Sequence, residues 1–144
     1  MRIETTRFGP IEIAEDRFLV LGEGLLGFPS LNRFLLIGDE GTAPFQWLQS
    51  VDEPSLAFVV IDPRWLLPDY LSDLPAALAE RIGIRRPEEM GLLALVSIPE
   101  EDPQEMTANL KGPLVFNLAT RRGVQLVLDD ERYALRHPVI PVTA

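Results

Sequence analysis

Short apolar runs, each cut off by Gly, Pro or Asp, recur along most of this chain. Runs of that length suit strands, because a helix needs a longer stretch with a repeat of three to four. Residues 3–8, 18–21, 33–37, 45–51, 55–61, 92–98, 106–110, 114–118, 124–128 and 133–136 therefore read as strands, with a shorter half-buried one at 11–13. Residues 57–61 are apolar throughout, as in a strand covered on both faces. Gly9-Pro10, Asp52-Glu53-Pro54, Arg121-Arg122-Gly123 and Asp129-Asp130-Glu131 supply turns between them. One stretch changes period. Leu71, Leu74, Leu78 and Ile82 are three, four and four apart, which places them on one helical face. Ser72 or Asp73 would cap that helix, Pro75 is tolerable only in its first turn, and Gly83 lies where it stops, giving about three turns. The pattern predicts a mainly β fold: a small antiparallel β-barrel-like domain with one short amphipathic helical insertion. Closure would remove the exposed edges that invite aggregation. Residues 138–144 read as a loose end.

A chain of 144 residues suits one domain spanning residues 1–144. It is 47% hydrophobic, and a domain of this size buries roughly 70% of the surface its unfolded chain exposes. There are no cysteines, which excludes a disulfide framework, a thiolate metal site and a cysteine nucleophile. Their absence fits a reducing cytoplasm. The first residues lack the apolar run of a signal peptide, and no stretch approaches the length of a membrane span. The expectation is a cytoplasmic protein with no membrane partner. Net charge is -9, from 22 acidic and 13 basic residues. That charge repels a phosphate backbone, which disfavours direct nucleic-acid binding, and it admits a basic protein partner.

Gly22-Glu23-Gly24-Leu25-Leu26-Gly27 is a literal GxGxxG after the strand at 18–21. A dinucleotide site needs a helix starting there, with its first amides facing the pyrophosphate. Pro29 and the strand at 33–37 leave no room for one. The competing reading is a tight exposed turn whose glycines supply positive φ, with Phe28 as a core plug or an exposed contact. A nucleotide- or flavin-binding enzyme using this turn stands as the alternative function. His137 is the only histidine, and one imidazole without companions defines neither a metal site nor a mechanism. No serine lies in a GxSxG elbow. No catalytic, cofactor-binding or metal-binding residue is therefore expected. Most carboxylates fall at turns beside Pro or Gly, where they satisfy backbone amides. Asp62-Pro63 differs, because it ends the most apolar strand and precedes Trp65 and Tyr70. It reads as an acidic and aromatic contact patch for a peptide, or as a Pro-fixed corner whose aromatics pack inward.

Several runs also carry a resemblance. Gly24-Leu25-Leu26-Gly27-Phe28 resembles the N-terminal turn of a known family. Phe45-Gln46-Trp47-Leu48-Gln49-Ser50-Val51-Asp52 and Ala57-Phe58-Val59-Val60-Ile61-Asp62-Pro63 resemble its central strands. Met106-Thr107-Ala108-Asn109-Leu110-Lys111-Gly112-Pro113 is similar to its most recognisable run, and Gly123-Val124-Gln125, Tyr133 and Arg136-His137-Pro138 to its closing strands. The ordered set, nearly the whole chain long, resembles the FliW family of flagellar assembly factors. The resemblance implies a small β-barrel-like cytoplasmic protein without catalytic activity or cofactor. It implies binding to flagellin, near the end that later packs inside the filament, and to CsrA, a basic RNA-binding repressor dimer. CsrA would be held away from its RNA-contact surface and lose RNA affinity allosterically. The two partners would compete, so that export of flagellin frees the factor for CsrA and restores translation of flagellin message. The candidate partner contacts are Glu23, Phe28, Asp62, Trp65, Tyr70, Asn109 and Lys111, chosen for turn location, acidity or polarity within the matched runs. A buried Asn109 would equally serve by bonding the backbone of a neighbouring strand. Charge reversal at Asp62 is expected to weaken CsrA binding with thermal stability nearly unchanged.

Overall fold

The computed structural model describes residues 1–38, 41, 43–71 and 75–139. In chain order it places β1 (Arg2–Ile3), β2 (Ile11–Glu12), β3 (Leu19–Leu21), β4 (Arg33–Ile37), β5 (Phe45–Ser50), β6 (Ala57–Ile61), α1 (Ala76–Ile82), β7 (Met90–Ser97), β8 (Thr107–Ala108), β9 (Leu114–Asn117), β10 (Arg122–Gln125) and β11 (His137–Pro138). The strands send alternate side chains to two destinations. Phe34 and Leu36 of β4 join one apolar cluster, Leu35 and Ile37 another. Leu93 and Leu95 of β7 join the first, whereas Met90, Leu92 and Ala94 join a third. A sheet apolar on both faces must be covered on both. It achieves this partly by closing on itself. The order β7-β6-β5-β4-β3-β10-β9 returns to β7 through the β7–β9 ladder, a closed seven-stranded barrel. Its interior is filled by Leu19, Leu21, Phe34, Leu48, Val60 and Leu114, all at 0% exposure.

Outside the barrel, the β1–β2 hairpin brings Ile3 and Ile11 onto Leu35 and Val51. The Arg7 guanidinium lies 4.1 Å from the centre of the Trp47 ring on that side. On the other side, α1 lays Leu78, Ala79 and Ile82 against Leu92, Val115 and Val124. β8 and β11 extend the sheet beyond β7. Among the described residues all ladders are antiparallel except β3–β10, which is parallel and two pairs long, Arg122↔Val20 and Gly123↔Leu21. One cross-strand rung reads Gly91, Phe116, Gly123. A Cβ at Gly91 would stand 2.3 Å from the Phe116 ring, and one at Gly123 would stand 2.5 Å from Phe116 Cβ. Only glycine leaves room for that ring inside so narrow a barrel.

Strand directions define two rims. The upper rim carries the ends of β3, β5, β7 and β10 and the starts of β4, β6 and β9; the lower rim carries the opposite ends.

Several expectations need correction. The run at 3–8 stops being a strand after Ile3, because Thr5 Oγ1 accepts from Phe8 N–H and donates to Gly9 O, folding the segment into a turn. Residues 121–123 are not the hairpin turn. Asn117 Oδ1 accepts from the amides of Ala119 and Thr120, so the chain turns there and Arg122 already lies in β10. Residues 133–136 form no strand, since Tyr133 is drawn inward onto Tyr70, their ring centres 4.6 Å apart. Pro138, expected in the loose end, instead pairs with Thr107 of β8, next to His137 with Ala108. The helix is shorter than its apolar spacing implied, seven residues with Pro75 as N-cap. Leu71 lies outside it with φ 51°. Ser72, Asp73 and Leu74, and the tail from residue 140, lie outside the described residues. Gly83 ends the helix as expected, at φ 76°.

Candidate partner-binding surfaces

The upper rim is closed by the loop between β3 and β4. Leu25 drops into the barrel interior at 2% exposure. Its amide and that of Phe28 exchange hydrogen bonds, Leu25 N–H to Phe28 O at 3.3 Å and Phe28 N–H to Leu25 O at 2.8 Å. That tight loop requires Gly24 at φ 72°, where a Cβ would stand 2.5 Å from Pro29 O. No helix begins at this turn, and β4 returns antiparallel to β3. The dinucleotide reading of the GxGxxG therefore fails on geometry, because no helix amides converge on a phosphate there.

Two turns meet at this rim through Gln125. Its Oε1 accepts from Leu26 N–H at 2.7 Å, and its Nε2 donates to Gly112 O at 2.9 Å. Asn109 Oδ1 accepts from the amides of Lys111 and Gly112, each at 3.0 Å, which shapes the second turn. The structure thus brings Phe28, Asn109 and Lys111 to one end of the barrel. Phe28 stacks edge-on against Phe58, centres 5.8 Å apart, yet stays 41% exposed. Asn109 spends its carbonyl oxygen on the backbone, so part of its role is architectural. Arg132, and at longer range Lys111, hold the Asp130 carboxyl below its ordinary range, so Lys111 sits near that acid. Glu23 reaches sideways from the same loop to an ion pair with Arg81 of α1. Beneath that pair lies a groove of about 450 Å³ between α1 and the β3–β10 seam, lined in part by Val20, Gly83 and Arg122.

Asp62 and Trp65 lie at the lower rim, after the end of β6. Asp62 Oδ1 accepts from Arg64 N–H at 2.9 Å, and the Arg64 guanidinium grips both carboxylate oxygens, Nη2 to Oδ2 at 2.7 Å. With Pro63 buried, this makes a rigid 3₁₀ turn that presents Trp65 at 70% exposure. Charge reversal at Asp62 would remove that cap. The expectation of unchanged stability is therefore corrected to a loss of about 1 kcal/mol. Tyr70 is corrected too. It is 2% exposed, its hydroxyl donates to Leu110 O at 2.5 Å, and burial pushes that hydroxyl above the usual tyrosine range, with Tyr133 adding to the rise. It is a core strut and presents no contact surface.

Sequence reasoning missed Leu26, Ile98 and Val127, which are 59%, 43% and 73% exposed and follow strands that end at the upper rim. An apolar residue in a strand reads as core. The available signal was alternation: Val127 stands between Leu126 and Leu128, which both pack on the core. Among the described residues no group of three His, Cys, Asp or Glu is placed to hold a metal ion. Among them, too, no helix is long and apolar enough to cross a membrane.

A family model described as FliW protein matches residues 2–140. The flagellar assembly factor FliW of Caldanaerobacter subterraneus is 42% identical over 141 residues, covering 97% of this chain and 93% of the relative. That of Magnetococcus marinus is 43% identical over 145 residues, covering 98% and 86%. That of Geobacter sulfurreducens is 41% identical over 138 residues, covering 96% and 86%. A crystal structure of the flagellar assembly factor FliW matches with a TM-score of 0.87 at 32% identity, over 100% of both chains. These matches span the loop, both rims and the whole barrel, and they place the chain among proteins named for flagellar assembly: it belongs to the FliW family.

Proposed function

We propose that this chain, acting in the cytoplasm as a single domain, serves flagellar assembly by occupying the surfaces of other proteins. It holds flagellin as a chaperone does, and it antagonises the translational repressor CsrA, coupling the flagellin level to translation of its message. The observation that carries this reading is the family match over residues 2–140. The geometry supports it. The barrel interior is filled by side chains, so work falls to the outer surface, where a rigid turn offers Trp65 and the upper rim offers Phe28. Exposed aromatics on rigid supports make good anchors, because little side-chain freedom is lost on contact. Net charge of -9 suits a basic partner and repels RNA. Such a switch needs no bond made or broken. It needs two mutually exclusive complexes whose occupancy follows concentration and affinity.

The proposed contacts are Glu23, Phe28, Asn109 and Lys111 at the upper end and Asp62 and Trp65 at the lower. Mixing the purified chain with flagellin and CsrA, singly and together, on a sizing column tests the scheme. Each alone should co-elute with the chain, and flagellin in excess should displace CsrA. A ternary peak would end the competition model. Trp65→Ala separates binding from folding, since so exposed a side chain contributes little to stability. It should weaken one of the two complexes by roughly tenfold, as an anchor residue does, with an unchanged melting temperature. Wild-type affinity for both partners would remove Trp65 from the contact set.

A further inference from the structure

β10 has two edges, and only one is filled along its length. Toward β9 the ladder continues past Gln125: Leu126 N–H donates to Pro113 O at 2.9 Å, and Leu128 N–H donates to Lys111 O at 2.7 Å. Toward β3 the register ends at Gly123↔Leu21, because β3 stops at Leu21 and the chain turns away. In an extended strand, successive residues turn their N–H and C=O to opposite edges. Residues 126 and 128 therefore face β9, and Val127 faces the open seam. The Val127 N–H and C=O have no hydrogen-bond partner among the described residues. The Leu26 N–H donates to the Gln125 side chain and leaves the backbone of residue 127 unpaired. The strand is held from its other edge and by the packing of Leu126 and Leu128.

Free strand edges are usually blunted by charge or proline, because they pair with whatever extended chain arrives. Residues 125–128, Gln-Leu-Val-Leu, carry neither. Beside them stands the exposed apolar Leu26, whose N–H donates to Gln125, and the exposed Phe28 lies in the same rim loop. Around that apolar centre the upper rim is acidic, with Glu53 in the β5–β6 turn, Glu100 and Glu101 after β7, and Asp129 directly after the open edge. Of the cations placed at this rim, Arg33 is already paired with Asp52, and Lys111 lies near the Asp130 carboxylate.

We propose that this seam accepts an extended segment of a partner protein as an added strand, apolar at alternate positions and flanked by Lys or Arg. The free backbone groups call for a strand, Val127 and Leu26 for apolar side chains on one of its faces, and the acidic rim for basic flanks. The inference deepens the protein-binding reading above and rests on it for the class of partner. It does not require that partner to be flagellin or CsrA.

The test pans a random peptide library displayed on phage against the wild-type chain. Enriched peptides, and separately purified flagellin and CsrA, are then titrated against wild type, Val127→Pro and Val127→Lys. The Val127 N–H bonds nothing within the chain, so V127P removes no internal hydrogen bond; V127K keeps the backbone donor and serves if the proline variant melts low. Enriched peptides should alternate apolar residues between basic flanks. V127P should weaken them roughly tenfold or more, the worth of a lost edge hydrogen bond and the steric block. V127K should weaken them by charge repulsion. The Val127 amide should exchange fast in the free chain and slowly in the complex. The proposal is overturned by enrichment without that pattern, by no enrichment, or by peptides that bind all three proteins alike while the Val127 amide stays fast. A dimer of the free chain abolished by V127P would assign the seam to a second copy and also overturn it. A wild type that binds neither flagellin nor CsrA refutes the proposed function alone, and the peptide arm still decides the seam.

Discussion

Tyr70 and Trp65 are five positions apart in one loop, and the fold treats them oppositely. Trp65 leaves the capped turn toward solvent, whereas Tyr70 enters the core and donates to Leu110 O. In sequence both are aromatics near an acid and a proline, and nothing local separates them. The difference comes from Leu110 and Tyr133, which lie far along the chain and meet Tyr70 only in the folded barrel. Tyr70→Phe should cost about 1 kcal/mol at neutral pH in urea unfolding, the worth of one buried hydrogen bond. The folded-state pKa of Tyr70 is raised, by burial first and then by Tyr133. A raised pKa means that the folded chain holds the proton more tightly. Its stabilising share is therefore complete below the ordinary tyrosine pKa of about 10 and declines as pH climbs beyond it. The wild type should lose stability on that alkaline limb more steeply than Tyr70→Phe. Parallel limbs would show that another group governs the decline.

At the scale of elements, α1 is the piece least able to stand alone. Seven residues form too short a helix to persist in water by propensity. It is tied down at its C-terminus by Asn117 of β9, whose Nδ2 donates to Ile82 O at 3.0 Å and Gly83 O at 3.2 Å. The same side chain turns the chain after β9 through its oxygen. Asn117→Ala should destabilise the protein by about 2 kcal/mol, since buried carbonyls lose their donor and two turn amides lose their acceptor. Equilibrium urea unfolding measures it. A change below about 0.5 kcal/mol, the scale of an ordinary surface substitution, would show that the tether is idle. The helix stop at Gly83 was readable, because an isolated glycine after a periodic stretch has a local meaning. The helix start was not: Leu71 belongs to the spacing but is held outside the helix, its N–H donating to the Tyr133 hydroxyl at 3.3 Å.

For the whole molecule, the distribution of charge matters more than its sum. Arg33 and Asp52 neutralise each other at the upper rim, while Glu100 and Glu101 stand exposed there. Acidic groups on a rim act chiefly on the rate of encounter with a basic partner. If the chain binds CsrA as proposed, that association should slow as ionic strength rises, with dissociation much less affected. Glu100→Gln combined with Glu101→Gln should lower the association rate and flatten its salt dependence, leaving the melting temperature alone. Stopped-flow mixing over a salt series reads both. A rate that ignores salt in the wild type would sink the electrostatic account.

Much of this architecture is written locally. Alternation at period two marks strands and their buried faces, and Gly, Pro and Asp mark where they stop, because both depend on residues a few positions apart. β4 matches its run of residues 33–37. The family could be read from ordered short runs for the same reason. What needed the folded chain was every relation between distant strands. Barrel closure through β7–β9, the parallel β3–β10 seam, and the meeting of Leu26, Gln125 and Gly112 at one rim arise from register and strand direction. Periodicity says which way a side chain points from its own strand, and only closure says which other strands stand beside it.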